Sequence, residues 1–301
     1  MKVGMIGLGG MGKPIAECLV REDVDLIVFD LRQEQVDALV SQGARPAASP
    51  AEVARNSHVI ISSLPSNEAS EKVALDEDGV LAGAKQGDIY IETSTISPDV
   101  MRKINDAAIT KGIRTLDAPV SGAGAQRKDG TLTVMVGGDA ATFEEARPIL
   151  EIFGKNIFHV GPIGSGATVK IINNLVMAAN CAASIEGLLL GIKAGLKPDI
   201  IYEVISCSSG ASNIFENVFK RLQDTPTKPP TGIGASQRLH TVSKDVRLAT
   251  HLAQSLNFPM IMGAAATQAW LSADAKGLRD HEMWALINVF EELCGVTMER
   301  A

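Results

Sequence analysis

A glycine-rich turn near the start of the chain constrains the fold more than any other feature. Residues 7–12 read Gly-Leu-Gly-Gly-Met-Gly, directly after the apolar run 3–6 and directly before a segment with helical spacing of apolar residues. Such a strand–turn–helix unit is typical of doubly wound sheets that bind a dinucleotide, because the glycines let the backbone approach a pyrophosphate at the helix start. The residues of the turn expected to contact this cofactor are Gly7, Leu8, Gly9, Gly10, Met11 and Gly12.

An acidic residue at the end of the second apolar run supports this interpretation. Asp30 follows the run 26–29, where an acid hydrogen-bonds the adenosine ribose hydroxyls and repels a 2′-phosphate. This arrangement favours NAD as the cofactor. Arg32 lies two positions further on and can accommodate a phosphate, so NADP stays possible. We expect Asp30, Leu31 and Arg32 to contact the cofactor.

The pattern of apolar runs divides the chain into two parts. Short β-type runs alternate with helical segments up to about residue 163, and they lie at 3–6, 26–29, 59–63, 89–92, 115–117, 132–136 and 157–160. This alternation predicts a largely parallel sheet covered on both faces. After the Gly/Pro-rich segment 161–166 the remainder reads as helices, and the first of them spans about 167–194.

The predicted fold class is therefore α/β: an N-terminal Rossmann-type doubly wound sheet followed by an all-α C-terminal domain, with a long interdomain helix. We place the dinucleotide-binding domain at residues 1–163 and a helical substrate and oligomerisation domain at 164–301. A second irregular segment is predicted at 225–234, which is rich in Pro and Gly.

Charge and cysteine content exclude several classes of protein. The 301 residues carry a formal net charge of −7, so no basic surface for nucleic acid is expected. Four widely spaced cysteines predict buried reduced thiols rather than disulfides or a metal site. We find no signal peptide, and charged and amide residues interrupt the apolar stretch 171–194, so we expect a cytoplasmic protein without a membrane span.

Several further segments resemble one enzyme family. Residues 117–123 read Asp-Ala-Pro-Val-Ser-Gly-Ala and precede Gly130-Thr-Leu, and residues 166–174 read Gly-Ala-Thr-Val-Lys-Ile-Ile-Asn-Asn. These segments are similar to the substrate-binding and catalytic signatures of the β-hydroxyacid dehydrogenases. The glycine turn, Leu64-Pro65 and the pair Lys244-Asp245 match the same family, in the same order along essentially the whole chain.

The resemblance implies a role for each matching residue. Lys170 corresponds to the catalytic acid and base, Ser121 and Gly122 to a substrate carboxylate clamp, and Asn174 to a residue that orients the substrate. The cofactor contacts implied outside the glycine turn are Leu64, Pro65, Thr95 and Lys244. Two alternatives stay open: Thr95 as the N-cap of the next helix, and Lys244-Asp245 as a surface ion pair.

The chemistry of Lys170 also follows from its surroundings in the sequence. Lys170 and Asn174 are four residues apart, so both lie on one face of a helix. Burial and a nearby cationic nicotinamide disfavour the charged form of a lysine, which suits proton transfer near neutral pH. We expect no metal ion to take part.

The resemblance predicts an NAD(P)-dependent oxidoreductase that transfers a hydride from the CH–OH group of a small 3-hydroxy acid. The substrate it favours is 3-hydroxyisobutyrate, oxidised to methylmalonate semialdehyde. Reduction of tartronate semialdehyde, or the activity of another member of the family, is the alternative, and a non-catalytic nucleotide-binding scaffold is the alternative of another class. The apolar first helix of the second half predicts a homodimer or homotetramer.

Two departures from the family pattern concern the substrate. Ala123 replaces a second glycine, and Arg127 stands where a small residue is common. Arg127 or Arg238 is a candidate to recognise a second polar or anionic group of the substrate. The alternative for each is a solvated loop arginine.

Overall fold

The computed structural model describes residues 2–122, 124–224 and 237–297 of the chain. The chain divides into two compact units, Met1–Lys170 and Ile171–Ala301. The first unit is an α/β domain and the second is helical, so the predicted fold class is confirmed. The division lies later than the predicted 163/164 boundary and falls inside a helix. The irregular segment predicted at 225–234 and residue Ala123 lie outside the described residues.

One mixed sheet forms the centre of the first unit. Its strands are β1 (Lys2–Ile6), β2 (Asp25–Phe29), β3 (Arg45–Pro46), β4 (Val59–Ser62), β5 (Ile89–Glu92), β6 (Arg114–Asp117), β7 (Val120–Ser121), β8 (Leu132–Gly138) and β9 (Gly154–Gly161). The first six strands are parallel in the order β3-β2-β1-β4-β5-β6. Strand order reverses between β1 and β4, and doubly wound sheets bind ligands beyond the carboxyl ends of the strands at such a point.

The rest of the sheet departs from the parallel pattern. Strand β8 pairs antiparallel with β6 and β7, and parallel with β9. All seven predicted strands are present, whereas β3 and β7 were missed because each has only two residues. Such short runs have no periodicity of their own and depend on pairing with distant strands.

Helices cover both faces of this sheet. They are α1 (Gly12–Arg21), α2 (Gln33–Val40), α3 (Pro50–Arg55), α4 (Asn67–Leu75), α5 (Val80–Gly83), α6 (Pro98–Ile109), α7 (Ala125–Lys128) and α8 (Ala140–Phe153). Alternate strand residues enter two separate hydrophobic clusters: Met5 and Ile61 belong to one, and Ile60 and Tyr90 to the other. This is the two-sided burial expected of strands whose side chains point alternately to opposite faces.

The second unit is built from helices around a core of its own. They are α9 (Ser165–Lys193, which begins in the first unit), α10 (Pro198–Ser206), α11 (Asn213–Asp224), α12 (Leu239–Ser255), α13 (Met262–Ala275) and α14 (Leu286–Cys294), with a 3₁₀ turn at Met283–Ala285. Trp270 is fully buried in this core, and its indole Nε1 donates to the carbonyl of Ala178 on α9 at 3.1 Å.

Helix α9 is the one described helix that is long and apolar enough to cross a membrane by length and composition alone. Its residues Cys181, Ile185 and Leu188 are buried in the core of the second unit. Core helices of this kind satisfy the same length and composition requirement.

The cysteines differ in part from the prediction. All four are free thiols, and Cys18 and Cys181 are buried. Cys207 is exposed and Cys294 is half-buried. Both lie at the ends of helices, Cys207 just after α10 and Cys294 as the last residue of α14.

A buried carboxylate fixes the start of α9. Asp117, the last residue of β6, is 1% exposed, and its Oδ1 and Oδ2 accept the backbone N–H groups of Gly164 at 2.8 Å and Ala167 at 2.7 Å. Residues at a helix start have N–H groups without intrahelical partners, and their positive potential favours an anion. The first turn of α9 is therefore anchored to the sheet of the first unit, which explains why the compact units divide after Lys170.

Two glycines allow this close approach. A Cβ atom at Gly166 would overlap the carbonyl of Met135 and lie 2.6 Å from the carbonyl of Asp117. A Cβ atom at Gly137 would overlap the carboxylate of Asp117 itself. Any larger residue at either position would push the helix start away from the carboxylate.

The buried position of Asp117 predicts a specific dependence of stability on pH. Burial raises the pKa of Asp117 to about 6, although the bonds from Ala167 and Gly164 lower it in part. An unfolded aspartate titrates at about pH 3.9. The contribution of Asp117 to the free energy of unfolding is therefore complete below about pH 4 and is lost as pH rises through about 6. Relative to Asp117→Asn, the wild type should lose about 3 kcal/mol across this interval, measured by denaturant unfolding at a series of pH values.

Asp139→Asn is the matched control, because Asp139 accepts the N–H of Thr142 at the start of α8. Bonds from Thr142 lower the pKa of this carboxyl, so its contribution is lost as pH falls, which is the opposite sign. If the free energies of unfolding of the wild type and Asp117→Asn changed in parallel between pH 4 and 7, the raised pKa of Asp117 would be contradicted.

Candidate active site

The glycines of the first turn have two different tasks. Gly7 has a φ of 86°, and a Cβ atom there would overlap the carbonyl of Ser63. A Cβ atom at Gly12 would overlap the carbonyl of Gly7, so these two glycines are required by the turn and by packing of α1 on β1. At Gly9 and Gly10 a Cβ atom would meet nothing within 4 Å. These two leave an open approach to the N-terminus of α1, which fits a pyrophosphate.

Asp30 lies directly beside this turn. Its Oδ2 accepts the N–H of Leu8 at 2.6 Å, and its Oδ1 accepts the N–H of Arg32 at 2.8 Å and the Arg32 Nε at 3.2 Å. Burial raises the pKa of Asp30, but the hydrogen bonds from Arg32 and Leu8 outweigh burial and hold the pKa below its usual value. The carboxylate is therefore ionised at neutral pH. The Arg32 Nη2 also donates to Oδ2 at 3.4 Å, so each carboxylate oxygen accepts two N–H groups.

The side chains that follow Asp30 are accessible. Leu31 is 92% exposed, and the guanidinium of Arg32 also reaches the carbonyl of Leu8 at 3.4 Å. Arg32 therefore neutralises Asp30 and ties the end of β2 to the glycine turn. Met11 is half-buried directly before α1.

A buried network supports the loops after β4 and β5. The N–H of Leu64 donates to Ser94 Oγ at 2.6 Å, and the hydroxyl and N–H of Ser94 both donate to Glu92 Oε1. Tyr90 donates its hydroxyl to the other oxygen of Glu92 at 3.1 Å. Glu92 is fully buried, and burial raises its pKa while the bonds from Ser94 oppose that rise. This network fixes the position of Leu64, which is half-buried, and of exposed Pro65 beside it.

Thr95 follows the same network and is half-buried. The alternative that it caps the next helix is wrong, because Ser97 is the N-cap of α6 and its Oγ accepts the N–H of Asp99 at 3.3 Å. The sequence analysis did not identify Glu92 and Ser94 as residues that hold this loop. The signal that could have identified them is an acid at the end of the predicted strand 89–92.

Ser121 is the last residue of the short strand β7, and Gly122 follows it. Ser121 is half-buried and pairs with Thr133 of β8. At Gly122 a Cβ atom would lie 2.6 Å from Leu132 Cδ2 and 3.3 Å from Gln126 Cβ, so the loop is tightly folded. The carbonyl of Gly122 accepts the Nε of Arg127 at 3.1 Å. A hydroxyl and a glycine N–H at the end of a strand are suitable donors for a carboxylate.

Lys170 lies on α9 one turn after Ala167, whose N–H binds Asp117. Lys170 is only 9% exposed, which is uncommon for a lysine. Asn174 follows one turn later and is also buried. The predicted arrangement of both residues on one helix face is therefore present.

The second unit holds Asn174 in a polar cluster. The amide Nδ2 of Asn174 donates to Asp245 Oδ2 at 2.6 Å, and its Oδ1 accepts from Asn173 at 3.0 Å. The ammonium of Lys244 lies 3.3 Å from Asp245 Oδ1. Asp245 is almost fully buried and Lys244 is half-buried, so this is not the exposed surface pair considered as an alternative. Asp245 thus contacts both Asn174 and Lys244.

The candidate residues thus fall into two sets. The glycine turn, Asp30, Leu64, Thr95, Ser121, Gly122 and Lys170 belong to the first unit, whereas Asn174 and Lys244 belong to the second. Among the described residues, no group of three or more His, Cys, Asp or Glu side chains is placed to hold a metal ion. The first set contains an anion-binding turn, an acid beside it and a buried lysine.

Comparisons with known proteins agree with this geometry. A family model described as the NAD binding domain of 6-phosphogluconate dehydrogenase matches residues 2–161. A second, described as the NAD-binding domain of NADP-dependent 3-hydroxyisobutyrate dehydrogenase, matches residues 164–290. These matches cover both units of the chain.

Individual relatives are similar over nearly the whole length. The chain is 40% identical to 2-(hydroxymethyl)glutarate dehydrogenase of Eubacterium barkeri over 99% of this chain and 97% of that protein. It is 36% identical to NAD-dependent L-serine dehydrogenase of Pseudomonas aeruginosa, over 98% and 99% of the two chains. A solved structure of Mycobacterium tuberculosis 3-hydroxyisobutyrate dehydrogenase with L-serine has a TM-score of 0.85 and 28% identity, over 96% and 98% of the chains.

These similarities remove the non-catalytic scaffold as an interpretation. Both domain models describe NAD(P)-binding proteins, and the relatives are dehydrogenases of hydroxy acids. The open glycine turn and Asp30 fit this cofactor. The chain belongs to the β-hydroxyacid dehydrogenase family, and it is an NAD(P)-dependent hydroxyacid dehydrogenase.

Proposed function

We propose that the protein oxidises 3-hydroxypropionates that carry a substituent on C2, with Lys170 as the general acid and base. The names of the three relatives refer to 2-(hydroxymethyl)glutarate, L-serine and 3-hydroxyisobutyrate. All three compounds have the form HOCH₂–CH(R)–COO⁻ and differ only in R. 3-Hydroxyisobutyrate, the substrate favoured from the sequence, has a methyl group as R. Tartronate semialdehyde, the alternative, would give a hydroxyl as R when it is reduced.

The observation that carries this proposal is the buried lysine on an anchored helix. Lys170 is 9% exposed, three residues beyond the N–H that binds Asp117. When bound, NAD(P)⁺ supplies the acceptor for the hydride that leaves the carbinol carbon. Neutral Lys170 takes the hydroxyl proton as the carbonyl forms, so the products are an aldehyde acid, NAD(P)H and a lysine ammonium. In the reverse direction the ammonium returns that proton to the carbonyl oxygen.

The remaining residues orient the substrate. We assign its carboxylate to the hydroxyl of Ser121 and the N–H of Gly122, because donors at a tightly folded loop are preorganised for an anion. Asn174 has one amide hydrogen committed to Asp245, and its second is the one we assign to the substrate hydroxyl. Asp245 thereby fixes the amide in the orientation that donates.

We also propose that NAD is preferred to NADP. Asp30 is ionised beside the turn, and Arg32, the residue that could receive a 2′-phosphate, already pairs with it. A phosphate would have to compete with Asp30 for this guanidinium and would lie close to a carboxylate.

Lys170→Ala tests the assignment of the acid and base. Turnover of the best hydroxy acid should fall by about 100- to 10,000-fold, because general acid–base catalysis contributes a factor of this size. Affinity for NADH should stay unchanged, measured by fluorescence titration. The substrates compared would be 3-hydroxyisobutyrate, L-serine, glycerate and 2-(hydroxymethyl)glutarate, each followed by nicotinamide absorbance with NAD and with NADP.

Lys155→Ala is the control, because Lys155 is an exposed lysine on β9. It should leave every rate unchanged. Near-normal turnover by Lys170→Ala would exclude Lys170 as the acid and base. Failure of the wild type to oxidise all four acids with either cofactor would reject the proposed substrate class.

We further propose that the protein is a homodimer or homotetramer assembled through its second unit. Apolar side chains on α9 and α10 are exposed in the single chain: Val176 is 53% exposed, Leu190 71% and Val204 58%. Exposed apolar surface of this kind marks interaction sites. Sedimentation at micromolar concentration should give a mass at least twice the 31.7 kDa of one chain. A monomer under these conditions would contradict the proposal.

A further inference from the structure

Arg127 lies on α7, in the loop that follows Ser121 and Gly122. Its Nε donates to the carbonyl of Gly122 at 3.1 Å. The guanidinium is therefore held against the same loop to which we assign the substrate carboxylate.

Within the part of the chain that the structure describes, no Asp or Glu carboxylate lies within ion-pair distance of the Arg127 guanidinium. Its one side-chain hydrogen bond there is that to Gly122. Arg127 is half-buried, and burial lowers the pKa of its guanidinium. Burial without an acidic partner is costly for a charged group, so such a group binds an anion strongly when one is supplied.

Arg238, the other arginine that the sequence offers as a candidate, differs from Arg127 in having an acidic partner. Its Nη1 lies 3.8 Å from Asp280 Oδ1 within the second unit. Its charge therefore has an acidic partner. Arg127 retains its two terminal nitrogens for a ligand, and a guanidinium presents them in the fork that matches a carboxylate.

We infer that Arg127 recognises a second carboxylate on the substrate. The first carboxylate is assigned to Ser121 and Gly122, and Arg127 is tied to the same loop through Gly122, so its terminal nitrogens reach the part of the substrate that bears the C2 substituent. The inference rests on the proposed function and deepens it: the preferred substrates are 3-hydroxypropionates whose C2 substituent ends in a carboxylate. A methyl, hydroxyl or amino substituent leaves Arg127 without its partner.

The test compares two substrates that differ only in the terminal group. 2-(Hydroxymethyl)glutarate ends in a carboxylate, and 2-(hydroxymethyl)pentanoate ends in a methyl group on a side chain of the same length. The wild type should have the higher kcat/KM for the dicarboxylate. Arg127→Ala should lower kcat/KM for the dicarboxylate by about 10- to 100-fold and leave the monocarboxylate nearly unchanged, since hydrogen bonds to charged groups are of this strength. Arg127→Lys should restore part of the difference.

Binding of unreactive acids gives a readout independent of turnover. Glutarate should bind the NADH complex of the wild type more tightly than pentanoate, by calorimetry, and Arg127→Ala should remove this difference. Arg238→Ala is the matched control and should change neither the rates nor the binding, because that arginine pairs with Asp280.

Three results would overturn the inference while leaving the dehydrogenase activity established. They are a wild-type preference for the monocarboxylate, an equal loss with both substrates in Arg127→Ala, and weaker NADH binding by that variant. The second result would place Arg127 at the shared carboxylate, and the third would place it at the cofactor. If the wild type oxidised neither acid, nor any of the other 3-hydroxypropionates, the proposed function itself would fail.

Discussion

The contact between the Asp117 carboxylate and the start of α9 is the interaction on which the candidate site depends. Asp117 is 1% exposed, and the N–H groups of Gly164 and Ala167 offset part of the cost of burying its charge. The helix start in turn gains an anion where its potential is positive. Lys170 lies one turn after Ala167, whose N–H binds Asp117. Strand β6, which ends at Asp117, therefore sets the position of the proposed acid and base.

The other functional residues of the first unit follow from the topology of that sheet. The glycine turn comes after β1, Asp30 after β2, Leu64 after β4 and Thr95 after β5. These four strands and β6 are parallel neighbours, so their carboxyl ends lie along one edge. Residues that are far apart in sequence are thereby brought to the side of the sheet where doubly wound folds bind their ligands. Arg32 and Glu92 help to fix these loops through hydrogen bonds, and Asp117 fixes the start of α9.

The features that could be predicted from the sequence are those whose cause is local. The glycine turn, the acid after the second strand and the spacing of Lys170 and Asn174 each occupy a short segment with a recognisable physical pattern. The contacts that hold them are not local: Asp117 bonds residues 47 and 50 positions away, and Asn174 bonds a residue 71 positions away. Strand β7, which carries Ser121, has two residues and exists only because β8 pairs with it. The periodicity of apolar residues in a single sequence does not reveal partners this far apart along the chain.

The proposed function requires that the anchored start of α9 sets the position of Lys170 for proton transfer. Rapid mixing of the enzyme–NAD complex with its best hydroxy acid measures this, for the wild type and for an Asp117→Asn protein that retains its circular dichroism spectrum. Hydride transfer in the variant should be slower by about 100-fold, because misplacement by about 1 Å has an effect of this size, while NADH affinity should be unchanged. Hydride transfer at the wild-type rate in the folded variant, or a loss explained entirely by weaker cofactor binding, would contradict this requirement.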